Sequence, residues 1–166
     1  MNIAASTASD PNRDLLRHTI ATLGYRGGKA VLGAPDGFAT FRTNDTTRTP
    51  GEILAHIGDL LDWALCITRG EPAYKESPSL SWDEAVARFF SALEKFDSYL
   101  ASDGPLACPA EKIFQGPIAD ALTHVGQISM LRRMAGAPVR GENYFKAEVV
   151  IGRVGSEQAT ERFEFE

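Results

Sequence analysis

Two tetrapeptides constrain this chain more than anything else in it: Thr49-Pro50-Gly51-Glu52 and Ser81-Trp82-Asp83-Glu84. Each reads as a capping box, in which the hydroxyl accepts from the third helical amide and the glutamate reaches back to the cap's own amide. Proline at the first helical position of the former adds a pre-set φ. Apolar residues at helical spacing follow both, so local chemistry alone fixes two helix starts. Helix two then runs towards Arg69-Gly70, where a basic residue precedes a C-capping glycine. Helix three carries Val86, Phe89, Phe90, Leu93 and Phe96 on one face and closes before Gly104-Pro105.

Two further helices have weaker punctuation. Helix one opens at Asp10-Pro11, shows Leu15, Leu16, Ile20 and Leu23 as an apolar stripe, and is expected to stop at the turn glycines Gly27-Gly28. Residues 33–48 contain Pro35, Asp36-Gly37 and a threonine-rich run, which read as a loop with a short extended piece at 38–41. Helix four is expected from Gly116-Pro117 to Gly136, with Pro138 blocking extension. Beyond Arg140, 142–147 suggest a helical turn, 149–151 an extended piece, and the acidic end from Glu161 a loose tail. The expected class is all-α, a four-helix bundle with a long crossover between helices one and two. It divides into a flexible tail (1–10), the bundle (11–138) and a C-terminal extension (139–166) that packs on the bundle or trails from it.

The chain of 166 residues suits one ordinary domain. Its formal net charge of −5 argues against a broad basic surface for nucleic acid. No uninterrupted apolar run reaches membrane-spanning length, since His56, Asp59 and Asp62 break the richest one, and the first ten residues do not form a secretory signal. The expected location is the cytoplasm, which also suits two cysteines, Cys66 and Cys108, in no zinc-knuckle or redox spacing. Cys66 reads as buried and inert. No serine-hydrolase elbow or phosphate-binding loop is present.

Chemistry concentrates on two of the three histidines. On helix two, His56 shares a face with Ile53, Leu60, Trp63 and Ile67, and is expected to look into the core. On helix four, Asp120 and His124 lie one turn apart on one face, with Gln127 following. A carboxylate aimed at a bundle interior is costly unless paired or bound to a cation. His56, Asp120 and His124 together would make a two-histidine-one-carboxylate set, which leaves coordination positions for water or substrate. Other roles are open to the same residues. A lone histidine on an apolar face is more often a hydrogen-bonded core residue. Asp120 could serve the positive end of the helix-four dipole, or simply pair with His124. Asp59, within about 60° of the His56 direction, is the better candidate for a general base and Asp62 the lesser. Gln127 is a candidate to assist catalysis by orienting a metal-bound water, or to cap the site. His18 reads as a surface histidine, Arg132-Arg133 as balancing the helix-four dipole, and Trp63 and Trp82 as core.

Thr-Pro-Gly-Glu-Ile-Leu-Ala-His56 with the following Ile-Gly-Asp-Leu-Leu-Asp-Trp63 resembles the helix-two signature of DinB-like proteins. Gly116-Pro-Ile-Ala-Asp-Ala-Leu-Thr-His124-Val-Gly-Gln127, continuing to Pro138, is similar to their last-helix signature. The likeness runs from about residue 11 to 138, with specificity confined to these two blocks. It implies a metal-binding four-helix bundle with a long crossover, a metal on three histidines facing a cleft, and a homodimer. This chain departs from the pattern at two places: Asp120 replaces the first histidine of the usual pair, and Val125 stands where an arginine is frequent. The expected cofactor is a divalent transition metal (zinc, nickel, iron or manganese) and the expected partner a small-molecule substrate or ligand. The function implied is a metal-dependent transferase or hydrolase, by thiol transfer or hydrolysis; the alternative is a metal- or ligand-binding protein without enzymatic activity.

Overall fold

The computed structural model describes residues 10–71 and 74–165. Of the expected flexible tail, residues 1–9 lie outside the described residues. Asp10 accepts from the Asn12 amide at 3.0 Å and caps α1 (Pro11–Val31). This helix does not stop at Gly27-Gly28. Both glycines are buried inside it, under the rings of Phe89 and Phe90. A Cβ on Gly27 would stand 2.5 Å from Phe89 Cζ, so the glycine permits close helix approach instead of ending the helix. The segment expected to be extended is a 3₁₀ turn, Phe38–Thr40, because Phe38 must turn inward to meet the Trp82 ring edge-on at 5.3 Å.

Both capping boxes form. In α2 (Pro50–Arg69) the Glu52 amide donates to Thr49 Oγ1 at 3.1 Å and the Thr49 amide to Glu52 Oε2 at 2.7 Å. In α3 (Trp82–Ala101) Ser81 and Glu84 make the same exchange. Gly70, at φ 78°, closes α2 in the left-handed conformation that favours glycine.

The fourth helical rod starts earlier than Gly116-Pro117 suggests. It begins with α4 (Ala110–Ile113), passes through a π turn (Phe114–Ile118) and continues as α5 (Ala119–Met134). Pro117 lacks an N–H and would clash with the carbonyl one turn back, and the wider turn accommodates it. Pro117 and Ile118 are buried, so packing stabilises this irregular turn. One extra residue in a turn rotates everything after it by about 100° relative to a regular helix. The π turn therefore sets which way Asp120 and His124 point.

α2 packs on α3 and α5, and α1 packs on the same two. The chain is all-α, with four helical rods, the last made of α4, the π turn and α5, and a single two-residue ladder among the described residues. No helix among them is long and apolar enough to cross a membrane. The core lies between the helices: Ile20 and Leu23 from α1, Ile57 and Leu61 from α2, Phe89 and Phe96 from α3, Ile118 and Ile128 from the last rod.

The C-terminal segment is not loose. β1 (Gly141–Glu142) pairs antiparallel with β2 (Glu164–Phe165), and Val154 is buried against Gly24. Residues 144–146 form a hydrogen-bonded turn, with the Lys146 amide donating to the Asn143 carbonyl at 2.9 Å, whereas 149–151 join no strand. Buried Glu142 accepts from Tyr25 Oη at 2.7 Å and from Lys29 Nζ at 3.0 Å, tying the extension to α1. Burial, and then Glu142 as acceptor, push the Tyr25 phenol up from its ordinary pKa.

Arg132 does not serve its own helix's dipole alone. It is buried, and its guanidinium donates to the carbonyls of Ala30, Leu32 and Gly33 at the end of α1 and of Ala137 beyond α5. One arginine thus satisfies the orphaned carbonyls of another helix. Arg133 is exposed.

Candidate metal centre

α2 and α5 pack side by side, which brings His56 to the first member of the α5 pair. His56 Nε2 stands 3.7 Å from Asp120 Oδ2, and His124 Nε2 stands 3.4 Å from Asp120 Oδ1. One ligand atom from each of the three residues lies within 4.8 Å of the others. The imidazoles meet edge to face, with centroids 4.9 Å apart.

These spacings are long for direct hydrogen bonds and still within ion-pair range. A good hydrogen bond between nitrogen and oxygen spans roughly 2.7–3.2 Å, and both distances here are longer. Ligands bound tetrahedrally at about 2.1 Å from a metal stand about 3.4 Å apart. The two distances involve different oxygens of Asp120, and one ligand atom from each residue lies within 4.8 Å of the others, close enough for the three to share a single cation.

Gln127 holds the His124 ring from behind, and Tyr74 lies behind that of His56. His124 Nδ1 donates to Gln127 Oε1 at 2.8 Å, which leaves Nε2 with its lone pair towards Asp120. His56 Nδ1 lies 3.3 Å from the Tyr74 hydroxyl, and with the proton on Nδ1 its Nε2 is likewise free to ligate. Burial, then the charges of His124 and Arg48, hold the His56 imidazolium below its ordinary pKa, against Asp120 and Asp59. The neutral ring, the form that binds metal, is thereby favoured.

The site lies at the rim of the helix packing, not in the core. His56 is half-buried and Asp120 is about half exposed, at 49% of its side chain. Two of the alternatives for these residues lose ground here. His56 is no satisfied core histidine. Asp120 sits at no free helix start, because the rod continues upstream through the π turn and offers no orphan amides. Compared with family models, curated proteins and solved structures, the chain matches none.

The assisting residues fall out differently. Gln127 faces His124 and accepts from its ring. Asp59 is buried, and its Oδ1 accepts from Arg88 at 2.8 Å and from the Ser77 amide at 3.1 Å. Arg88 also binds Asp62 at 2.6 Å, Ser77 Oγ at 2.8 Å and the Ala55 carbonyl, crossing α2 over Gly58, where a Cβ would meet it at 2.7 Å. Asp59 and Arg88 thus pin the loop that carries Tyr74 to His56. Sequence patterning pointed to neither Tyr74 nor Arg88. Tyr74 sits in a segment without periodicity, and the Arg88 contacts are long-range. Trp63 stacks edge-on to Tyr74 at 6.1 Å, which couples that face of α2 to the site. Cys66 is half-buried, its thiol pushed up by burial and away from reactivity. His18 is exposed on α1.

Two clefts flank the cluster. One, of about 830 Å³, is lined on the His56 side by Arg48, Thr49, Asp59, Tyr74 and Glu76. The other, of about 520 Å³, runs along α5 from His124 and Gln127. Arg48 borders both.

Proposed function

We propose that this chain is a divalent-metal-binding four-helix bundle of DinB-like kind, with the metal on His56, Asp120 and His124 and a small molecule as its substrate or ligand. One observation carries the reading: two imidazoles and a carboxylate bring one ligand atom each within 4.8 Å of the others, with His124 oriented through its other nitrogen by Gln127 and Tyr74 beside that of His56. The ring of contacts in which α1 and α2 each meet α3 and α5 supports the bundle arrangement, and the two motif blocks support the family likeness. Three protein donors leave coordination positions open, and the exposed side of Asp120 leaves them reachable. The set suits zinc, nickel, iron or manganese.

A bound divalent cation would supply Lewis-acid chemistry, lowering the pKa of a thiol or water and polarising an electrophile. Around it the chain orients ligands: Gln127 holds His124, and Tyr74 stands beside His56. Thiol transfer or hydrolysis would need a proton acceptor besides. Asp59 already holds Arg88 and Ser77, which favours the second reading, a metal- or ligand-binding protein without turnover.

Elemental analysis of tag-free protein prepared without chelator tests the site directly. The expected result is about one equivalent of transition metal per chain, as three protein donors can hold a single cation. A chain that carries none and takes up no zinc, nickel, manganese or iron(II) would overturn the assignment. Removing the brace should weaken the site without dismantling it. Gln127→Ala is exposed, so the fold should stand while metal affinity falls about tenfold or more, as is usual for partners of ligating histidines. Competition with a chromogenic chelator reads the change, and unchanged affinity would remove Gln127 from the site.

A further inference from the structure

The second cleft differs from the first in its charge. Its lining includes Arg48 but no carboxylate, whereas Glu52, Asp59 and Glu76 line the other. Arg48 is exposed and has no ion pair or hydrogen bond among the described residues, while neighbouring Arg42 is spent on Glu52 and the Thr47 carbonyl. The rest of the lining is mostly apolar: Ile53 from α2, and Met130, Leu131 and Met134 in sequence along α5 beyond Gln127.

The spacing of the α5 residues is that of one helix face. From Gln127 to Met134 it runs about 10 Å away from the metal cluster. Met130 and Met134 stay 61% and 58% exposed, which is costly for two large apolar side chains on one face unless something covers them. Methionine is flexible and polarisable, and adapts to chains of varied shape. At about 520 Å³ the groove has the size of a small-molecule site. On the metal reading the charge is unbalanced too. A divalent cation on two neutral imidazoles and one carboxylate keeps net positive charge, and Arg48 adds to it.

We infer that this groove holds a monoanionic amphiphile, a carboxylate-bearing small molecule whose charged end meets Arg48 beside the metal centre and whose alkyl chain lies along Met130 and Met134. The inference rests on the metal reading for the orientation of the ligand. Apolar burial supplies the affinity, and Arg48 selects the anion and sets its direction.

The test is calorimetric titration of the zinc-loaded full chain with decanoate, with hexanoate and decanol as comparisons, after metal content is measured on the same samples. Decanoate should bind saturably, and hexanoate roughly tenfold more weakly or worse, because each buried methylene contributes. Decanol, and decanoate with Arg48→Gln, should each bind about fivefold more weakly, as suits one exposed charge pair. Arg48→Gln should leave metal content unchanged. Met130→Gln combined with Met134→Gln alters exposed positions only, so the fold should persist while the preference for the longer chain disappears. No saturable decanoate binding to metal-loaded protein, equal affinity for hexanoate, or indifference to Arg48→Gln would overturn this inference alone. Protein that takes up none of zinc, nickel, manganese or iron(II) would overturn the site reading and this inference with it.

Discussion

Arg132→Met should destabilise the fold by about 3 kcal/mol or more, although Arg132 touches no part of the metal cluster. Its guanidinium is buried and donates to four carbonyls, three of them from the end of α1. Methionine fills much the same space but offers no donor. The buried Ala30 carbonyl loses a partner that water replaces poorly, and those of Leu32, Gly33 and Ala137 lose a charged donor at the partly exposed end of α1. The charge has no carboxylate beside it, and burial lowers its pKa from the ordinary value. The favourable side of the balance is thus the hydrogen bonds themselves, each strengthened by the charge. The Phe38 ring, 5.9 Å from the guanidinium carbon, would lose its cationic neighbour as well. Urea denaturation reads the effect. Arg133→Met is the control: the residue is exposed, and its replacement should move stability by no more than about 0.5 kcal/mol. Equal effects at the two positions would show that Arg132 acts as a general surface charge and not as the cap of α1.

What could be read from the chain follows the range of the interactions concerned. The starts of α2 and α3 come from exchanges between residues three apart, so Thr49-Glu52 and Ser81-Glu84 could be placed without any knowledge of the fold. The same holds for Asp120, His124 and Gln127, whose common face follows from helical pitch alone. Long-range contacts were not visible. Gly27 and Gly28 look like a helix stop, and only the Phe89 and Phe90 rings, far along the chain, explain why they lie inside one. Gly116-Pro117 looks like a helix start, yet packing of Pro117 and Ile118 keeps the rod going through a π turn. Asp59 looks like a free carboxylate near His56 until Arg88 arrives from α3, 29 residues later. The acidic C-terminal end lacks any periodicity, and its order comes from Lys29 on α1, which meets both Glu142 and Glu164.

The position of His56 shows a subtler failure. Its apolar neighbours on α2 suggest a side chain turned to the core, and the helix indeed buries Ile53 and Leu60. Yet the wheel gives direction only, not depth. His56 sits where α2 and α5 part at the rim, so the same direction ends in a cleft. That difference decides between a sealed polar cluster and a site that an incoming molecule can reach.

Asp120 provides the sharpest test of that site, because its alternatives predict opposite results. As a metal ligand, its replacement in Asp120→Ala should weaken metal binding on the order of a hundredfold or more, beyond the usual loss from a supporting residue. Asp120→His should retain binding, since a third imidazole reaches the same point one turn before His124. As a mere ion-pair partner of two histidines, Asp120 would leave no metal binding to lose. Stability separates the cases again. The side chain is half exposed, so metal-free Asp120→Ala should lie within about 0.5 kcal/mol of the parent chain. With free metal at a hundred times its dissociation constant, the parent should gain about 2.7 kcal/mol, and a variant bound a hundredfold more weakly only about 0.4 kcal/mol. Thermal melts with and without zinc measure both quantities on the same samples. A zinc-dependent gain that survives Asp120→Ala in full would move the metal elsewhere. A gain that vanishes with alanine and returns with histidine would place it between α2 and α5, with the π turn as the element that aims its carboxylate.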